Sequence, residues 1–150
     1  MILSEEQIRR FQNVVWGYYE AHKRAMPWRT STDPYHVWVS ELMLQQTQVD
    51  RVVPKFLAFI ERFPTVMALA AAPLADVLTA WAGLGYNRRA KFLHTAAKQV
   101  MVDHDGVLPD THAALVALPG IGPNTAGAIL AYAFNKPVVY VETNIRSVYI

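Results

Sequence analysis

The sequence predicts an all-α domain, and three observations carry that prediction. Apolar residues recur at helical spacing through most of the 150 residues. The runs open on Ser, Thr, Asp or Pro and close near Gly or Pro, the punctuation that helices use. Val138-Val139-Tyr140-Val141 alone has the β-branched and aromatic character of an extended piece.

Composition narrows the classes further. Hydrophobic residues make up 53% and charged residues 17%, which argues against disorder. The length suits one domain, or one domain plus part of another, with a proper core. No apolar run reaches the length of a membrane span, and no basic-then-apolar signal opens the chain. A cytoplasmic location with no membrane partner is expected. The absence of Cys excludes disulfides, thiolate zinc sites and iron–sulfur ligation by these residues. A net charge of +2 permits nucleic-acid binding only through a local basic surface.

Ser4-Glu5-Glu6-Gln7 reads as a capping box, followed by Ile8, Phe11, Val15 and Tyr18 at helical spacing to about His22. A loop from Lys23 to Thr32 holds Trp28 as a packing anchor and Arg29 as a capping or phosphate-facing cation. Asp33-Pro34 caps a helix from Tyr35 to about Gln46. Val37, Trp38, Leu42 and Met43 form its apolar side, and Glu41 is its one acidic residue. Its end, Gln45-Gln46-Thr47-Gln48, is polar and uncharged. Amide side chains there suit base edges, or serve simply as a polar helix end.

Val49 to Arg62 is an amphipathic helix stopped by Phe63-Pro64. Thr65 caps a short helix from Val66 to Ala71, and Pro73 opens another that runs to Trp81-Ala82. Gly83-Leu84-Gly85-Tyr86 is a tight turn that exposes an aromatic ring. The helix after it, to about Asp103, opens with Arg88, Arg89 and Lys91, the densest basic cluster in the chain. An aromatic beside such a cluster suits stacking on bases plus phosphate contact. A solvated helix start is the alternative. Thr111 caps a short helix that leads to Leu118-Pro119-Gly120-Ile121-Gly122-Pro123-Asn124-Thr125-Ala126-Gly127.

That decapeptide is a helix, a glycine turn and a second helix of small residues. Gly120 and Gly122 are free to take positive φ, and the second helix presents its N-terminal amides beside them. An anion such as a phosphodiester fits there, although a plain helix–turn–helix link has the same pattern. A helix from Thr125 to Phe134 follows. Glu142 or Thr143 then caps a last helix that has barely begun when the sequence ends at Ile150, so a longer parent chain is expected.

Taken together, these segments resemble the helix-hairpin-helix base-excision DNA glycosylases, and within them the A/G-mismatch adenine glycosylases. The resemblance is carried by Pro27-Trp28-Arg29, Asp33-Pro34-Tyr35, Val39 to Val49 (with Glu41-Leu42-Met43-Leu44-Gln45-Gln46-Thr47-Gln48), Phe63-Pro64-Thr65, Trp81 to Tyr86, Leu118 to Gly122, Thr125 to Ile129, and Asn144. It implies a six-helix barrel domain over 31–142 with the hairpin at 118–129. Residues 1–30 would be a helix and linker of a truncated second helical subdomain, and 143–150 the start of a truncated helix.

The resemblance also implies roles. Glu41 would protonate a flipped-out adenine and later activate water, with Glu142 and Asn144 completing the catalytic set. Gln45, Gln46 and Tyr86 would wedge into the duplex and contact the opposite base, 8-oxoguanine or guanine. Arg88, Arg89, Gly120, Ile121, Gly122, Asn124 and Thr125 would hold the DNA backbone, with a monovalent cation on the hairpin carbonyls. Asn124 stands where related endonuclease III enzymes carry a Schiff-base lysine, so base removal without strong strand cleavage is implied. Glu142 stands where the family carries Asp. The extra methylene can shift the carboxylate by about 1 Å, an error that costs roughly 100-fold in rate. The family's [4Fe-4S] cluster would need a C-terminal segment not among these residues. The implied partner is double-stranded DNA with a mismatch, met by a monomer.

Overall fold

Helix caps organise the chain from its first turn. A computed structural model describes residues 3–149; Ile150, where the last predicted helix runs out, lies outside the described residues. Ser4 accepts from the Gln7 amide while the Gln7 side chain accepts from the Ser4 amide, and this capping box starts α1 (Glu5–His22). A 3₁₀ turn (Pro27–Arg29) follows, with Trp28 buried as an anchor against Phe56. Asp33 caps α2 (Pro34–Leu44) through the Tyr35 amide. Then come α3 (Val49–Arg62), α4 (Val66–Ala71), α5 (Leu74–Trp81), α6 (Arg88–Asp103), α7 (His112–Val116), α8 (Pro123–Tyr132) and α9 (Thr143–Tyr149). No strand occurs among the described residues. Thr65 and Thr111 cap α4 and α7 as predicted.

The core forms around α2, which packs on α3, α6 and α8. Trp38, Val39 and Met43 are fully enclosed, and Trp81 and Phe59 meet edge to face beside them. Replacing a ring such as Trp38 with alanine is expected to cost about 3–5 kcal/mol, the usual price of an aromatic-sized cavity. α4 and α5 lie on α6, and α7 on α8, so the sequence-distant hairpin and the early helix α2 share one side of the molecule. α1 contributes no buried residue. Its predicted apolar stripe is present but exposed, with Ile8, Phe11, Val15 and Tyr18 all open.

Two local expectations are corrected. α2 stops at Leu44 rather than near Gln46, because Gln45 leaves helical geometry (ψ 113°) and Gln46 turns left-handed (φ 55°). Gly122 does not take positive φ. It is the extended N-cap of α8 (φ −86°, ψ 174°), and only Gly120 uses its conformational freedom (φ 79°). Gly127 makes room for a side chain from an irregular segment. A Cβ there would lie 2.8 Å from the ring of Tyr140.

Candidate active site

The end of α2, the turn before α6, the hairpin and the segment entering α9 enclose one cleft of about 980 Å³. Glu41 stands in its wall on α2. Glu142 and Asn144 face the same space from the start of α9, and Asn124 and Thr125 from the first turn of α8. The two carboxylates are 101 positions apart in sequence, and α2 packing on α8 helps to bring the set together.

Burial sets the chemistry of Glu41. Its carboxyl sits against enclosed neighbours on α2, and desolvation of the charged form raises its pKa to about 7. The negative charge of Glu142 raises it further, and Arg29 on the 3₁₀ turn opposes both. Glu41 is therefore a group that holds a proton near neutral pH and can release it, as a general acid must. Glu142 is fixed by its neighbour. The Asn144 side-chain amide donates to Oε1 at 3.1 Å and its backbone N–H donates to Oε2 at 3.2 Å. The longer Glu arm thus caps its own helix, and Asn144 orients it.

A family model described as the HhH-GPD superfamily base excision DNA repair protein matches residues 39–150. The chain belongs to this superfamily. Adenine DNA glycosylases of Mycolicibacterium smegmatis and Buchnera aphidicola are 46% and 40% identical to it, over 88% and 93% of its length. The chain spans less than half of these curated relatives, 45% and 40% of them respectively. A thermostable thymine-DNA glycosylase has a similar structure, with a TM-score of 0.85 and 26% identity over 91% of this chain and 63% of that one. The helix-hairpin-helix DNA glycosylase fold is thus the architecture observed.

Within this superfamily fold, the predicted residues divide by position. Gln45, Gln46, Tyr86, Arg88, Gly120, Asn124 and Thr125 all line the cleft with the carboxylates. Tyr86 projects from its turn, 65% exposed, and Gln45 Nε2 reaches Thr125 Oγ1 at 3.5 Å. No side chain caps the first turn of α8, so its first amides have no side-chain partner from the N-cap. Arg88 is exposed and lies over the Phe92 ring.

Arg89 and Ile121, both expected to hold the DNA backbone, are buried. Arg89 borders the cleft but is buried at 9% exposure, with both Nη groups bonded to acceptors inside the chain. Ile121 is a core side chain at 4% exposure, and its N–H is bonded to the Leu118 carbonyl. Gly122 lies outside the cleft lining, and nothing fills the space beside its Cα.

Sequence reasoning passed over Tyr140. It lines the cleft, presses on Gly127, and its phenol is held far above the usual tyrosine range. Burial is the main cause, followed by Tyr132 and then the charges of Glu41 and Glu142. An aromatic two residues before Glu142 was the available signal. Iron–sulfur ligation finds no thiolate among these residues, and among the described residues no group of three or more His, Asp or Glu gathers to hold a metal ion.

Proposed function

We propose that this chain removes adenine from double-stranded DNA in which it is mispaired with 8-oxoguanine or guanine, by hydrolysis of the N-glycosidic bond. The observation that carries the reading is Glu41, a carboxyl that holds its proton up to about pH 7 in a cleft shared with Glu142. The likeness to adenine DNA glycosylases supports the choice of base.

The base is turned out of the stack into the cleft. Glu41 gives its proton to the ring nitrogen N7, and the bond from C1′ to the base breaks with its electron pair leaving on the base. The sugar carries positive charge at that moment, and the Glu142 carboxylate, held by Asn144, stabilises it. Water then adds at C1′ and returns a proton to Glu41. Asn124 carries no amine for a Schiff base, which supports base removal without strong lyase action. The first amides of α8 and the Gly120 turn hold the DNA backbone, with a monovalent cation on the hairpin carbonyls. Gln45, Gln46 and Tyr86 probe the opposite base. The protein acts as a monomer on cytoplasmic DNA.

The test is excision from three duplexes, carrying A opposite 8-oxoguanine, A opposite G, or T opposite G, each read after alkali. Adenine loss from the first two, abolished by Glu41→Gln, is expected. Loss of thymine only would favour the second reading, a T/G glycosylase, which the structural likeness to a thymine-DNA glycosylase motivates. Duplex binding without any alkali-labile site would leave a DNA-binding module.

A further inference from the structure

Two residues of the cleft, Gln46 (φ 55°) and Tyr86 (φ 47°), occupy the left-handed region although neither is glycine. L residues avoid it, and such conformations persist where the surroundings over-determine them. The peptide entering each strained residue is held by the same side chain. Arg89 Nη1 donates to the carbonyl of Gln45, which precedes Gln46. Nη2 donates to the carbonyl of Gly85, which precedes Tyr86, at 3.2 Å.

The remaining contacts extend the pattern to both sides. Nη1 also reaches the carbonyls of Leu42 (2.7 Å) and Met43 (3.1 Å), orphan acceptors of the last turn of α2. Nη2 also reaches Thr47 Oγ1 and the Leu84 carbonyl, each at 3.2 Å. The rings of Tyr86 and Trp81 lie 5.5 and 5.6 Å from the guanidinium carbon. Among the described residues no acidic side chain forms an ion pair with it. The carbonyl dipoles at the C-terminal end of α2 offset its charge.

We propose that Arg89 is a positioning residue that locks the Gln45–Gln46 elbow and the Tyr86 turn into one rigid unit. The two probes then meet the duplex at a fixed separation. The inference rests on the reading of Gln46 and Tyr86 as duplex probes. A guanidinium has a planar fork of donors that spans both elements, whereas a lysine ammonium is a single point and serves one.

Two measurements on the whole chain test the clamp. In Arg89→Lys, hydrogen exchange should rise together at 45–47 and 84–86, with the α3 and α6 amides unchanged. Thr47→Val, which removes one Nη2 acceptor, should loosen 84–86 as well, although Thr47 makes no bond to that turn. This milder variant decides the matter if Arg89→Lys does not fold. Loosening of one element alone, or of neither, overturns the proposal.

The second measurement is single-turnover excision by Arg89→Lys. On adenine opposite guanine, the rate should fall roughly ten- to a hundredfold. On adenine opposite an abasic site, with no base to probe, it should stay within about twofold. Equal losses on both duplexes would mean a general structural defect and would overturn the clamp. If the unaltered protein removes no base from either duplex, the functional reading fails, and the exchange data still decide the clamp.

Discussion

Glu41→Gln should make the protein more stable, and only at neutral and alkaline pH. The folded pKa of Glu41 is about 7 against 4.5 for a free carboxyl. Between those values the folded chain keeps a proton that the unfolded chain has lost, so stability falls as pH rises through the window. At pH 8 the loss is complete. A shift of that size corresponds to about 3 kcal/mol at most, because the side of the carboxyl facing the cleft keeps some solvent. Gln stays neutral and escapes the penalty. The variant should match the wild type near pH 4 and melt roughly 6–12 °C higher at pH 8, using the Tm response of a domain this size. Thermal unfolding by circular dichroism across pH 4–9 reads both profiles. Curves that stay parallel at every pH would refute the reasoning, since the carboxyl would then titrate alike in both states. Glu142→Gln supplies an internal control. It removes the second cause of the raised pKa, so the fall in stability should still begin near the free carboxyl's value but level off at a lower pH, and total less, than in the wild type.

Further outcomes follow from the same geometry. Gly127→Ala drives a methyl to 2.8 Å from the Tyr140 ring and should lower stability by about 1–3 kcal/mol and excision along with it, read by melting and by single-turnover assay. Gly120→Ala meets both positive φ and Phe92 Cβ at 2.7 Å, so a loss of about 1–3 kcal/mol is expected in denaturant unfolding. Asn124→Lys puts an amine on the cleft wall and should create a borohydride-trappable adduct with substrate DNA that the wild type lacks. Glu142→Asp should raise the excision rate if the longer arm misplaces the charge, and an unchanged or lower rate would show that the cap with Asn144 suits Glu.

Much of the fold was legible because its signals are local. A capping box, a threonine cap and a first-turn proline each act within one helical turn, and Ser4, Thr65, Thr111 and Pro123 do what their neighbours announce. The turn at Gly83–Tyr86 was legible for the same reason. The missed features depend on contacts across long stretches of chain. Arg89 looks like its neighbour Arg88 in sequence, yet a helix turns by about 100° per residue, so one faces solvent and the other the core. Four of its acceptors, on Leu42 and Met43 of α2 and on Gln45 and Thr47 just after it, lie more than 40 residues away, and nothing local points to them. Tyr140 is likewise defined by Gly127, a glycine whose use for close approach is visible only once α8 and the segment after it are folded together.

The apolar stripe of α1 limits pattern reading in another way. Periodicity identifies which face of a helix is apolar and leaves open what covers it. The stripe of Ile8, Phe11, Val15 and Tyr18 is real, and in the described chain it is open to solvent. Glu41 stands at the opposite extreme, the one acidic residue in the middle of a mostly apolar helix. A surface carboxylate at that position would need no partner. Enclosed on α2 beside Trp38 and Leu42, it instead raises the free energy of the folded state whenever it is charged. Neutral Gln would fit the same helix at lower cost, so stability gives no reason for an acid at position 41. Proton transfer within the cleft does give one.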